Sequence, residues 1–199
     1  MKLNKIFKWK NEDLIPYFEK VPPEVFQEFA IRGGLEEGCD IDVLFPYIEK
    51  TQSLIEVGAC YGRVLHHLLR KNYRGRIDAI ERSTHFFGVL KRKYNKNINL
   101  IHADINIFQP KKKLDAILWL WSDISSFPKE EQLPILTHLC SWLKKDGIFI
   151  LETLLPTQRA LNATRATVSS DDCQGQSYVL DSEYGRAYGY IPSESEMHT

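Results

Sequence analysis

Glu56, Gly58, Gly62 and Glu81 offer the clearest chemistry in this chain, because of what they are and how they are spaced. A glycine can take positive φ and lets a ligand approach the backbone closely. The first turn of a helix after such a glycine offers amides with no partner of their own. An acid at the end of the next strand can accept both hydroxyls of a ribose. Together these residue types imply a nucleoside-type ligand held over a turn.

Positioning them requires a strand, a turn, a helix and a second strand, and the residues from Ser53 to Arg82 supply all four. Ser53 to Val57 is an apolar run interrupted only by Glu56. Gly58 to Gly62 is the turn. Val64, Leu65, Leu68 and Leu69 recur at helical spacing. Ile77 to Ile80 is the second strand and runs into Glu81. A parallel unit of this kind places its turn at the carboxyl end of the first strand, where open α/β sheets bind ligands.

The run Glu56-Val57-Gly58-Ala59-Cys60-Tyr61-Gly62-Arg63 resembles the first motif of the class I S-adenosylmethionine-dependent methyltransferases. That motif is an acid, one apolar residue and G-x-G-x-G; Cys60 stands here in place of the middle glycine. The likeness extends in order from about residue 53 to 153. It implies that Glu56 lies near the methionine end of the cofactor, that Gly58, Ala59 and Gly62 shape the turn, and that Glu81, followed by Arg82, holds the ribose. His102-Ala103-Asp104-Ile105 resembles the third motif, which implies that Asp104, with Ile105 beside it, receives the adenine amino group. The stretch from Trp121 to Pro128 resembles the loop beside the transferable methyl. Trp121 is expected to wall that pocket and Trp119, two residues earlier on the same side of the strand, to lie in the core.

The expected fold is α/β: a three-layer Rossmann-like sheet of parallel strands in order 3-2-1-4-5. Residues 1–50 read as a helical cap, 51–155 as the cofactor-binding core and 156–199 as a C-terminal loop and hairpin. The basic, aromatic residues 1–10 read as a loose arm. Helices are expected over Asn11–Lys20, Pro23–Ile31 and Asp40–Lys50. By the resemblance they form part of a lid, with Tyr17, Phe18 and Arg32 as its candidates. Ser83 is placed to cap a helix reaching about Lys96. Pro128 opens another, reaching Lys144, with Leu133, Leu136, Leu139, Cys140 and Leu143 on its apolar stripe and Pro134 as a point of kinking or delay. Lys145-Asp146-Gly147 is its expected stop and Ile148–Glu152 the fifth strand. Residues 156–170 are ambiguous. Residues 176–180 and 186–191 are expected to pair as a hairpin, and a further helix to start near Pro192. Domains of the resembled family normally continue with a helix and two more strands. Here that pair is expected to be missing or replaced by the hairpin, leaving the edge of the fifth strand to the hairpin, to a second copy of the chain, or to residues of a longer protein.

Composition narrows the function classes. Lys+Arg and Asp+Glu are equal at 26 each, so no global charge favours nucleic acid. The basic residues between Arg70 and Lys96 read as solvated helix faces. The cysteines at 39, 60, 140 and 173 form no C-x-x-C pair, consistent with reduced thiols in a cytoplasmic setting. No apolar run suits a signal peptide or membrane span. No histidine pattern suits a metal. Methyl transfer needs two reactants oriented and water excluded. A base is needed only where the acceptor must lose a proton, and Tyr17, Tyr61, His102 and Asp123 are its candidates. The expected function is methyl transfer from S-adenosylmethionine to a small-molecule acceptor, without nucleic acid or membrane partners and with a homodimer through the fifth-strand edge as an option. The other readings are a non-catalytic cofactor-binding or partner-supporting protein and a nicotinamide-dependent oxidoreductase. The last needs G-x-G-x-x-G, and G-A-C-Y-G lacks both its second glycine and its spacing.

Overall fold

The computed structural model describes residues 8–94, 98–154, 167–169 and 175–197. Its centre is β1 (Ser53–Val57), buried at every position. It pairs in parallel with β2 (Arg76–Glu81) on one side and β4 (Leu114–Trp119) on the other. The outer strands are β3 (Asn99–His102) beside β2 and β5 (Leu143–Leu151) beside β4. The order is β3-β2-β1-β4-β5, the order expected.

Strand alternation divides the core between the two faces. Leu54, Ala116 and Leu118 pack with Leu65 and Leu68 of α4 (Arg63–Arg70) and with Ile41 and Ile48 of α3 (Cys39–Ile48). Ile55, Ile80, Ile117 and Trp119 pack on the other face with Leu139 of α6 (Lys129–Cys140) and with Trp142. These helices and sheet make the three layers. α5 (Thr84–Lys93) follows β2, and the Ser83 hydroxyl accepts the Phe86 amide at its start, as the sequence predicts.

Before the sheet come a 3-10 turn (Asn11–Leu14), α1 (Ile15–Phe18) and α2 (Pro23–Gly33). Trp9 is not part of a loose arm; it is buried and stacks on Tyr188 at 5.8 Å. Residues 1–7 lie outside the described residues.

The expected helix from Pro128 to Lys144 is corrected at its end. α6 stops at Cys140, where Ser141 bonds back to the carbonyls of Thr137 and His138. Trp142 is fully buried and its carbonyl takes the Leu114 amide, which draws the chain into the sheet. Leu143 is therefore the first residue of β5 and not part of a helix stripe. Between the pairs Leu114↔Leu143 and Ala116↔Ile148 the register shifts, so Lys145-Asp146-Gly147 is an irregularity within the strand and not a helix stop. Leu133 and Cys140 are exposed; the inward face of α6 carries Gln132, Ile135 and Leu139. Pro134 lies inside α6.

The C-terminal hairpin forms from β7 (Gln176–Ser182) and β8 (Gly185–Ile191), and β6 (Thr167–Ser169) adds to it. It is a second sheet and does not extend the edge of β5. The Gln132 amide donates to the Tyr190 carbonyl, tying β8 to α6. The last element is α7 (Glu194–Met197). Most of the ambiguous segment 156–170, and Cys173, fall outside the described residues.

Candidate active site

A cavity of about 620 Å³ opens over the carboxyl ends of β1, β2 and β4. Its floor includes the glycine turn. Gly58 has φ +69° and Gly62 φ +87°, and Cys60 between them is also left-handed at +48°. A Cβ on Gly58 would stand 2.6 Å from Oδ2 of Asp123, and one on Gly62 2.5 Å from the Tyr94 ring. Both glycines are therefore required by conformation and by space.

Glu81 closes the turn from below. Its Oε2 accepts the Cys60 amide at 2.8 Å and its Oε1 the Ser83 amide at 2.7 Å. It is 8% exposed, and burial pushes its carboxyl up to about 7 against the pull of those two amides. Next to it Arg82 donates to the Asn11 side chain at 2.5 Å and faces Asp104 at 3.5 Å. Asp104 also accepts the Asn106 amide at 2.8 Å, so it caps a local turn while facing the cavity.

Behind the turn lies a polar cluster. Arg63 makes a two-pronged bond to Asp40, 2.8 and 2.7 Å, and its guanidinium stands 5.5 Å from the Trp121 ring centre. Glu56 is buried, its Oε2 has no hydrogen-bond partner among the described residues, and burial drives its carboxyl well above the ordinary range.

The loop after β4 is built on an uncommon backbone. Trp121 and Ser122 both have positive φ, +57° and +54°, a conformation costly for a bulky side chain. Side-chain hydrogen bonds help to hold it. The Trp121 amide donates to Oε2 of Glu152 at 2.7 Å, the Ser122 and Ser125 hydroxyls meet at 2.7 Å, and the Leu154 amide donates to the Ser122 hydroxyl. The turn ends strand alternation before Trp121, so its ring packs edge-on to Phe26 and Tyr61 and lines the cavity. Trp119, still in the strand, is fully buried. Its indole Nε1 donates to Oδ2 of Asp123 at 2.7 Å. Burial raises the Asp123 carboxyl, as it does that of Glu152.

The roof comes from both ends of the chain. Asn11 donates to the Ser126 carbonyl at 2.9 Å while holding Arg82. Glu19 accepts the amides of Thr84 and His85 at the start of α5. The Ser83 hydroxyl donates to the Phe18 carbonyl. The N-terminal segment is thereby pinned across β2 and the loop after β4. Tyr17, Phe18 and Arg32, the lid candidates, all line the cavity. The hairpin supplies Tyr178, Leu180, Ala187 and Tyr188. Tyr17 and Tyr178 are both pushed up to about 12, chiefly by burial.

Of the residues singled out in the sequence, Gly58, Glu81, Arg82, Asp104, Ile105 and Trp121 line the cavity. Glu56, Ala59 and Gly62 are not among its lining residues; they shape or back the turn. Of the candidate bases, Tyr17 and Asp123 line it and the other two do not. The Tyr61 hydroxyl is bound to Glu36, and His102 stacks on Phe87 and bonds the Arg82 carbonyl. Sequence reasoning missed the hairpin's contribution and that of Asn11 and Glu152. Tyr178 and Leu180, two apart on one predicted strand, were the available signal for a shared face.

The profile of the methyltransferase domain family matches residues 54–147. No curated protein matches by sequence. Among solved structures, the PH0226 protein from Pyrococcus horikoshii OT3 superposes with a TM-score of 0.64 at 15% identity, covering 88% of this chain and 85% of its own. An S-adenosylmethionine-dependent methyltransferase from Clostridium acetobutylicum superposes at 0.62 and 12% identity, covering 88% and 82%. CalS10, an amino pentose methyltransferase from Micromonospora echinaspora involved in calicheamicin biosynthesis, superposes at 0.58 and 14% identity, covering 86% and 84%. These likenesses are to the fold. No helix among the described residues is long and apolar enough to cross a membrane.

Proposed function

We propose that this chain, whose residues 54–147 match the methyltransferase domain family, moves the methyl group of S-adenosylmethionine onto a small organic acceptor. The observation that carries the reading is the pairing of Glu81 with the glycine turn. A buried acid at the end of β2, squared up by the Cys60 and Ser83 amides, stands beside a turn of positive φ whose Gly58 and Cys60 line the cavity. Such an acid suits two vicinal hydroxyls, and such a turn suits a ligand pressed against the backbone. The residues fit the group: Glu81 would hold the ribose, Asp104 with Ile105 the adenine, and Trp121 would wall the reactive end. Arg82 orients Asp104. Gly58, Ala59 and Gly62 shape the turn, and Glu56 backs the methionine end with an acceptor oxygen that has no hydrogen-bond partner among the described residues.

When bound, S-adenosylmethionine supplies a methyl carbon activated by its sulfonium. The chain's residues bind it, orient the acceptor and exclude water. The acceptor's place in this reading is between the N-terminal segment and the hairpin, against Tyr17, Phe18, Tyr178 and Tyr188. In this reading residues 1–50 are the helical cap, 51–155 the cofactor-binding core and 156–199 the C-terminal loop and hairpin, of which the hairpin is the second half of the roof, in a cytoplasmic protein. The outer edge of β5, which no described strand pairs, is the place for a second copy of the chain.

A crystal structure with S-adenosylhomocysteine tests the reading. The expected result is ribose hydroxyls on Glu81 and the adenine beside Asp104. An occupied cavity with neither contact, or no binding at millimolar concentration, overturns it.

A further inference from the structure

We infer that the acceptor is an amine, bound as its cation between the aromatic walls of the cavity and the carboxylates of Asp123 and Glu152, with Asp123 taking its proton. This rests on the methyl-transfer reading above and names the substrate class of that site.

The charges around the cavity carry the inference. Its lining acids are Glu19, Glu81, Asp104, Asp123 and Glu152, and its cations are Arg32 and Arg82. Glu19 gives both oxygens to the amides of α5. Glu81 gives both to the turn and to Ser83. Asp104 faces Arg82, and Arg82 is held by Asn11. Arg32 is paired with Glu28 outside the cavity. Arg63, behind Trp121, is neutralised by Asp40. Asp123 and Glu152 remain. Each gives one oxygen to a neutral donor, Oδ2 to the Trp119 indole and Oε2 to the Trp121 amide, where Glu19 and Glu81 give both. Among the described residues neither makes an ion pair.

Two buried carboxylates whose nearby cations, Arg82 and Arg63, are already paired with Asp104 and Asp40 are costly at an apolar wall, and a guest cation lowers that cost. The same wall presents the rings of Tyr17, Phe18, Phe26, Phe29, Tyr178 and Tyr188, which attract a cation by their faces. Among the described residues an anionic acceptor would meet acids and no unpaired guanidinium. A neutral alcohol would leave both carboxylates uncompensated.

The step balances. The bound ammonium gives one proton to the Asp123 carboxylate and becomes a neutral amine. Its nitrogen lone pair forms the new bond to the methyl carbon. The bond from that carbon to sulfur breaks, and its electron pair stays on sulfur as the neutral thioether. The methylated nitrogen, now cationic, loses its second proton to solvent. The raised carboxyl of Asp123 lies closer to an ammonium in proton affinity than an exposed aspartate would.

The test is calorimetric binding to the full chain saturated with S-adenosylhomocysteine. The probes are 2-phenylethylamine, its neutral isostere 2-phenylethanol, and phenylacetate. The amine is expected to bind about tenfold more tightly than the alcohol, the scale of a desolvated charge-assisted contact, and the anion not at all. In Asp123→Asn and Glu152→Gln the amine-to-alcohol ratio falls toward one. Amine binding equal to or weaker than alcohol binding, no amine binding at 10 mM (about the weakest affinity of interest), or an unchanged ratio in both variants overturns the inference and leaves the methyl-transfer reading standing. Failure of S-adenosylhomocysteine itself to bind overturns both.

Discussion

Trp119 and Asp123 are joined by a 2.7 Å hydrogen bond from a fully buried indole to a carboxylate in the cavity wall. Trp119 belongs to the core and Asp123 to the site, so one contact links stability to chemistry. The same Oδ2 stands where a side chain on Gly58 would begin. Trp119→Phe removes the donor and leaves a buried carboxylate oxygen without its partner. Urea unfolding should show a loss of about 1–3 kcal/mol, the usual cost of orphaning such a group. Wild-type stability in the variant would show that the bond contributes nothing.

Trp121 supplies a second test, because its left-handed backbone makes the usual ranking of substitutions reverse. In most positions glycine is worse than alanine, but at φ +57° alanine keeps the strain and glycine relieves it. Trp121→Gly should therefore be about 1 kcal/mol more stable than Trp121→Ala in urea unfolding. The ordinary order, alanine above glycine, would mean that the loop relaxes once the ring is gone.

The N-terminal segment is held by Asn11, which bonds Arg82 on one side and Ser126 on the other. Asn11→Ala should speed amide hydrogen exchange in residues 11–20 and cost about 1–2 kcal/mol, one or two side-chain hydrogen bonds. Unchanged exchange would mean that Glu19 and the aromatic packing suffice to hold the segment.

The pH dependence of stability follows from the buried acids. Glu81 is pushed up to about 7 by burial, and burial also raises Glu56, Asp123 and Glu152. Unfolded carboxyls release their protons near pH 4–4.5 or so. From there to about 7 the native state binds more protons than the unfolded state, so stability falls as pH rises. The melting temperature should be lower at pH 7.5 than at pH 5.5. A higher melting temperature at pH 7.5 would contradict the raised values.

The central unit was legible because its signals are local. Apolar periodicity outlines β1, α4 and β2, and Ser83 marks the start of α5 where its hydroxyl caps it. The strand order followed from resemblance and holds. What failed depends on distant contacts. α6 ends early because Trp142 is claimed by the core, which no local pattern of leucines reveals. The hairpin was legible as a hairpin, but its place over the site depends on Gln132 meeting Tyr190 and Trp9 meeting Tyr188. Among the site residues, Glu81 and Asp104 stand at strand ends and could be named. Glu152 also follows a strand, but the turn at Trp121 that brings it into play is a matter of backbone conformation alone.

Calorimetric titration with S-adenosylmethionine, with NADH as control and Glu81→Ala alongside, tests the central claim most directly. The account predicts micromolar binding of S-adenosylmethionine, no heat with NADH, and at least about tenfold weaker binding in the variant, from the loss of hydrogen bonds to a charged group. No binding of S-adenosylmethionine, or the same affinity with and without Glu81, would contradict it.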